Sequence, residues 1–180
     1  INTRGMDRLI RTYSGFCDGR HRLIIAFTHP SKSDPPVLAS VFSTELTEAA
    51  KQVGVPLRRG GHIHFLYGIG VPVWAGFGAG WLLPRMGAIP VTNSKMDSRS
   101  VKLMRKYASK GRWPIAMAPE GQVTYHNKEL GEIESGTAIL GFWCRDDLKK
   151  EGKDQDVLIL PVSIEYRYRV EDGHSLEDLL

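Results

Sequence analysis

The sequence predicts an α/β fold: a mixed, mostly parallel sheet flanked by helices in one domain. Three observations predict it. Short apolar, β-rich runs alternate along the chain with segments of helical periodicity. The runs end at proline or glycine breaks, as at Pro30 and Pro119-Glu120-Gly121. The chain has 180 residues, 42% of them hydrophobic and 24% charged, which is enough apolar content for one sizeable core and argues against disorder.

Residues 1–21 form an N-terminal helical and turn segment, with a weakly apolar helix from Met6 to Tyr13 and a turn at Cys17-Asp18-Gly19. Residues 22–180 form the main domain. Leu23 to Phe27 is a buried strand that runs straight into His29. Pro30, Pro35 and Pro36 break it and open a helix, because proline is tolerated in a first helical turn. Over 35–52, Val37, Leu38, Val41, Phe42, Leu46 and Ala49 recur at helical spacing, and Gly54 and Pro56 end the helix. His62 to Tyr67 is a short β run.

The window 71–91 contains one charged residue, Arg85, and is long enough to raise the question of a membrane span. Pro72, Pro84, Pro90 and several glycines argue against one. A buried strand and turn, or a segment that dips into a bilayer surface, is the expectation. Ser98 to Lys110 is an amphipathic helix, capped by Asp97 or Ser98. Val101, Met104 and Ala108 face inward, and Arg99, Lys102, Lys106 and Lys110 face outward. Trp113 to Ala118 is a strand, 136–150 a helix, and Val157 to Tyr168 the last strand.

The net charge is +4, with arginines crowded near the start. A mild basic excess fits attraction to anionic lipid heads or acidic substrates. Cys17 and Cys144 match no metal or redox spacing, which excludes a disulfide framework and favours a reducing compartment. The chain starts at Ile1 and shows no signal-peptide pattern, which reads as a trimmed chain or fragment. His62 and His64 lie on one strand face without a third ligand at suitable spacing, so they read as structural. The glycines from Gly68 to Gly80 form no dinucleotide loop.

His29 and Asp34 carry the chemistry. They sit on one strand-to-helix turn, five residues apart, so the carboxylate can fold back onto the imidazole. It would hold one ring nitrogen as donor and leave the other free to take a proton. No Gly-x-Ser-x-Gly elbow accompanies them, which disfavours a serine hydrolase.

Four blocks together resemble the glycerolipid acyltransferase family of lysophosphatidic acid and glycerol-3-phosphate acyltransferases. In the first, His29, Ser31 and Asp34 match its Asn-His-x-Ser-x-x-x-Asp motif, with Thr28 in place of Asn. In the second, Gly87, Ile89 and Val91 match, with Asn93 at an arginine position. In the third, Pro119, Glu120 and Gly121 match Phe-Pro-Glu-Gly-Thr-Arg-Ser, while Ala118, Gln122 and Val123 depart from it. In the fourth, Pro161 interrupts an apolar strand. The resemblance covers residues 22–168.

It implies transfer of a fatty acyl group from acyl-CoA or acyl carrier protein to a glycerolipid hydroxyl, most simply that of 1-acylglycerol-3-phosphate. His29 would be the general base and Asp34 its orienting group. Glu120, Gly121, Ser31, Asn93 and Lys95 would lie on the acceptor side. No cofactor, metal or nucleic acid is implied. The partners are the acyl donor, a lysolipid and an anionic membrane surface, with peripheral or monotopic attachment at the cytoplasmic face. Asn93 and Val123 offer no clamp for a phosphate: either Lys95, Arg99 or Lys32 takes that task, or the acceptor has no phosphate monoester, as in a lysophospholipid with a large head group or an amine-containing lipid. Two alternatives accompany this reading. One is another lysolipid acyltransferase, or a glycerol-3-phosphate or dihydroxyacetone-phosphate acyltransferase, whose fourth motif the Leu160 to Tyr166 block also resembles. The other is a catalytically silent lipid-binding module of the same fold.

Overall fold

Successive side chains of a strand point to opposite faces, so a continuous apolar run signals burial on both. Strand β1 (His21–Phe27) does this: Leu23, Ile25 and Phe27 enter one core and Ile24 enters the other. The computed structural model describes residues 1–71, 73, 76–91 and 98–167. The other strands are β2 (His64–Gly68), β3 (Ile89–Val91), β4 (Ile115–Met117) and β5 (Asp156–Val162). They form a five-stranded sheet in the order β3-β2-β4-β1-β5. A mixed sheet was expected; every pairing among the described strands is parallel.

Helices cover both faces, as an all-parallel sheet requires. On one side lie α1 (Met6–Cys17), α2 (Asp34–Ser40) and α3 (Leu46–Gln52). They pack Tyr13, Phe16, Leu38, Phe42 and Leu46 against Leu23, Ile25 and Phe27. The N-terminal segment thus shares the core of the main domain. On the other side, α5 (Ser98–Lys110) and α6 (Gly136–Lys150) bury Met104, Ala108, Leu140, Cys144 and Leu148 against Ile24, Ile89 and Ile115. Arg22, at the start of β1, donates to the carbonyls of Tyr107, Ala108 and Gly111, closing the C-terminal end of α5.

The structure departs from the sequence reading in three places. The expected helix over 35–52 is interrupted by a π-helical turn, Val41–Glu45, between α2 and α3. Within 71–91, where a buried strand and turn or a segment dipping into a bilayer surface was expected, residues Phe77–Arg85 form helix α4, and among the described residues of the window only Ile89–Val91 is strand. Apolar runs broken by glycine do not distinguish the two periods. Gly87, at φ +80°, ends the α4 segment; a Cβ there would meet the His64 ring at 2.7 Å. The last strand, expected to reach Tyr168, stops at Val162, because its partner β1 ends at Phe27; Tyr168 itself lies outside the described residues. No helix among the described residues is long and apolar enough to cross a membrane.

Candidate active site

In a parallel sheet the loops leaving the carboxyl ends of the strands share one edge, and ligands bind there. The register makes this specific. Ile24, Ile115 and His64 are level across β1, β4 and β2. Strand β1 ends at Phe27 and its parallel neighbour β4 at Met117, so His29 and Glu120 follow in loops at the same carboxyl edge, and the first and third motifs meet there.

The first motif closes on itself. His29 Nδ1 donates to Asp34 Oδ2 at 2.7 Å. The same oxygen accepts the Ser31 backbone N–H at 2.9 Å. A carboxylate on Nδ1 fixes the proton there and leaves Nε2 with its lone pair. Asp34 is fully buried and holds the first turn of α2, while the His29 side chain is 17% exposed. The imidazole can therefore be reached from solvent where the carboxylate cannot.

Glu120 is buried at the centre of the loop network. Its Oε2 accepts the His29 backbone N–H at 2.9 Å, and its Oε1 accepts the Gly131 N–H at 2.9 Å. The Thr124 N–H donates to the His29 carbonyl at 2.9 Å. One carboxylate thus ties the β1 loop to the β4 loop and to residue 131. Gly121 follows at φ +70°, in the region glycine enters without strain. A Cβ at Gly121 would lie 2.9 Å from Glu134 Oε1.

Two residues enter the site that motif reading did not assign to it. Tyr166 donates its hydroxyl to Asp34 Oδ1 at 2.6 Å. Burial of that hydroxyl and the neighbouring carboxylate push its pKa up to about 12, so it remains a donor well above neutral pH. Asn127 holds the Tyr166 backbone from both sides, donating to its carbonyl and accepting its N–H at 2.7 Å. Thr28, which replaces the usual Asn, accepts the Ile164 N–H on its hydroxyl at 2.8 Å. It thereby ties the end of β1 to the segment that carries Tyr166. The sequence signal for Tyr166 was its place in the fourth block; nothing in the spacing says that it reaches Asp34, 132 residues away.

Among the expected acceptor-side residues, Ser31, Glu120 and Gly121 lie in this loop cluster; Asn93 and Lys95 lie outside the described residues. Ser31 supplies its backbone to Asp34, and its Oγ accepts the Ser33 N–H at 3.2 Å. His62 and His64 stand apart from the pair. The buried His64 bonds to the Gly87 carbonyl at 2.8 Å and packs its ring on Tyr107 and Trp113.

A histidine held by a buried carboxylate, beside a Pro-Glu-Gly turn, has the geometry that general-base chemistry requires. Comparison with family models agrees: the family described as Acyltransferase matches residues 1–165. The chain belongs to the acyltransferase family. This is the glycerolipid acyltransferase family that its motifs resemble, and its reaction is acyl transfer. No curated protein matches the acyltransferase chain in a sequence search.

Proposed function

We propose that this acyltransferase moves a fatty acyl group from acyl-CoA or acyl carrier protein to the hydroxyl of a lysophospholipid, most simply 1-acylglycerol-3-phosphate, in phospholipid synthesis. The carrying observation is the His29–Asp34 pair, with Nδ1 engaged and Nε2 open. In the proposed reaction His29 Nε2 removes the acceptor's proton as its oxygen attacks the thioester carbonyl. A C–O bond forms, the C–S bond breaks, and the proton passes to the departing thiolate. Asp34 stabilises the imidazolium that forms in between. No covalent acyl-enzyme is needed, because the acceptor attacks directly.

The loop residues take supporting parts. Glu120 and Gly121 order the loop that faces the acceptor, with Ser31, Asn93 and Lys95 completing the acceptor side. A groove of about 820 Å³ supports a fatty acyl donor. Leu130, Ile133 and Ile159 line it, together with Thr28 and Pro119, the neighbours of His29 and Glu120. The lipid nature of acceptor and product supports peripheral attachment at the cytoplasmic membrane face.

The test is thiol release from palmitoyl-CoA with a panel of acceptors: glycerol-3-phosphate, lysophosphatidic acid, lysophosphatidylcholine and a lyso-aminolipid. Turnover is expected to be highest with lysophosphatidic acid and to fall about 10²–10⁴-fold in His29→Ala at unchanged thermal midpoint. Turnover by folded His29→Ala close to wild type would overturn the base assignment. Preference for glycerol-3-phosphate would move the acceptor to the second reading, which the Leu160 to Tyr166 block favours. Absence of turnover with both acyl-CoA and acyl carrier protein would leave the silent module as the better reading.

A further inference from the structure

Helix α4 has the composition of a core helix, yet most of its described side chains are exposed. Its sequence is Phe-Gly-Ala-Gly-Trp-Leu-Leu-Pro-Arg. No α4 residue belongs to either hydrophobic core among the described residues. Trp81 is 62% exposed, Leu82 47%, and Met86, just beyond, 48%. Ile69 and Val73, in the connection that leads from β2 to α4, are also exposed. Isolated apolar residues at a surface are ordinary; a succession of them on one short stretch marks a contact surface.

The charge pattern says what the surface contacts. Between Gly60 and Ser94 the sequence contains no Asp, Glu or Lys, and Arg85 is its only arginine. The Arg85 guanidinium lies over the Trp81 ring at 4.1 Å and donates to the Trp81 carbonyl at 2.8 Å. A tryptophan under an arginine, followed by two leucines, is the chemistry of the bilayer interface: the ring and aliphatic groups enter the acyl boundary while the cation meets lipid phosphates. A partner protein with acidic contacts would find only one cation here.

Placement adds a second argument. Strand β2 runs parallel to β1, two places away across the sheet, so the chain that leaves β2 after Gly68 starts from the same carboxyl edge as the loop that carries His29. The exposed apolar stretch therefore begins beside the catalytic end. At nine residues α4 spans about 14 Å, less than half of a hydrocarbon core, so it can lie in an interface but cannot cross it.

We infer that α4, with the exposed Ile69 and Val73 that precede it, is the element that seats this enzyme on an anionic bilayer, with Trp81 and Leu82 inserted and Arg85 at the phosphates, so that a lipid acceptor meets His29 without leaving the membrane surface. The inference rests on the proposed lipid acceptor for its purpose, but its test reads binding alone.

The full chain is floated with phosphatidylcholine vesicles containing phosphatidylglycerol, and with pure phosphatidylcholine vesicles. Wild type is expected to float with the anionic vesicles and more weakly with the neutral ones. Trp81→Ala and Leu82→Glu should each lower partitioning about tenfold or more, and Arg85→Gln about fivefold on anionic vesicles only. Phe142→Ala, at an exposed aromatic on α6, and His29→Ala should float like wild type. Circular dichroism melts establish that each variant is folded. Wild type that fails to float, or folded Trp81 and Leu82 variants that float undiminished, would overturn the inference. A wild-type dimer that Leu82→Glu dissociates, without vesicle binding, would also overturn it and assign the surface to a second copy of this chain. Because His29→Ala reports floating without chemistry, failure of the docking surface and failure of the proposed reaction are read separately.

Discussion

The buried carboxylate of Asp34 accepts three hydrogen bonds: from His29 and Ser31 on Oδ2 and from Tyr166 on Oδ1. Holding both oxygens fixes the carboxylate plane, and a fixed plane aims the imidazole. Tyr166→Phe removes one of these donors while keeping the ring. The expected result is a kcat about tenfold lower, with KM for both substrates unchanged, because a misaimed base weakens the transition state and not substrate binding. Stability should fall by about 1–2 kcal/mol, as Oδ1 loses its donor in a buried place. Steady-state kinetics with a denaturant melt check both. An unchanged kcat with the stability loss alone would reduce Tyr166 to a packing role.

At the scale of elements, helix geometry at the π turn depends on one glycine. A Cβ at Gly61 would sit 1.7 Å from the Phe42 carbonyl oxygen, on the turn that joins α2 to α3. The Gly61 N–H also donates to Thr47 Oγ1 at 3.2 Å. Backbone cannot retreat as a flexible side-chain tip can, so Gly61→Ala should cost about 3 kcal/mol or more. Gly70→Ala, where a Cβ meets nothing within 4 Å, should change stability little. Thermal melts of the pair check the contrast. The same elements show what sequence could reveal. The β1 run and the apolar face of α5 were legible, because each repeats a period over several residues of one core. Helix α4 was not, since its glycines and Pro84 count against a helix and no core-facing stripe counts for one. The His29–Asp34 contact was legible because it is local. The Tyr166 contact was not, because only the register of β5 on β1 brings that segment to the turn.

The whole molecule should show a plateau of stability between about pH 6.5 and 9, set by groups buried neutral on both sides of the sheet. His64 bounds the acid side. Burial of its ring pulls its pKa below the ordinary value, against the Gly87 carbonyl that raises it. The unfolded chain then binds the proton first, so the contribution is complete above about 6.5 and is lost as pH falls from there through the depressed folded value. Thiols and a phenol bound the alkaline side. Burial pushes Cys144 up to about 11 and raises Cys17 and Tyr13 as well. For these groups the unfolded chain ionises first. Their contribution is complete below about 9, and it is lost as pH rises toward the raised folded values. Asp147, lowered chiefly by its bond to Arg105, and Glu151, lowered to about 2 chiefly by its bond to Lys110, act only in stronger acid and leave the window clear. Melting midpoints from pH 5 to 10.5 at constant ionic strength should rise, level and fall in that order. His64→Gln should flatten the acid limb and leave the alkaline one, while Cys144→Ala should do the reverse at a lower overall midpoint, because it empties part of the α6 core. A midpoint that climbs on acidification from pH 7 to 5 would show that the His64 ring takes its proton more readily in the fold than out of it, contrary to its burial between Tyr107, Trp113 and β3.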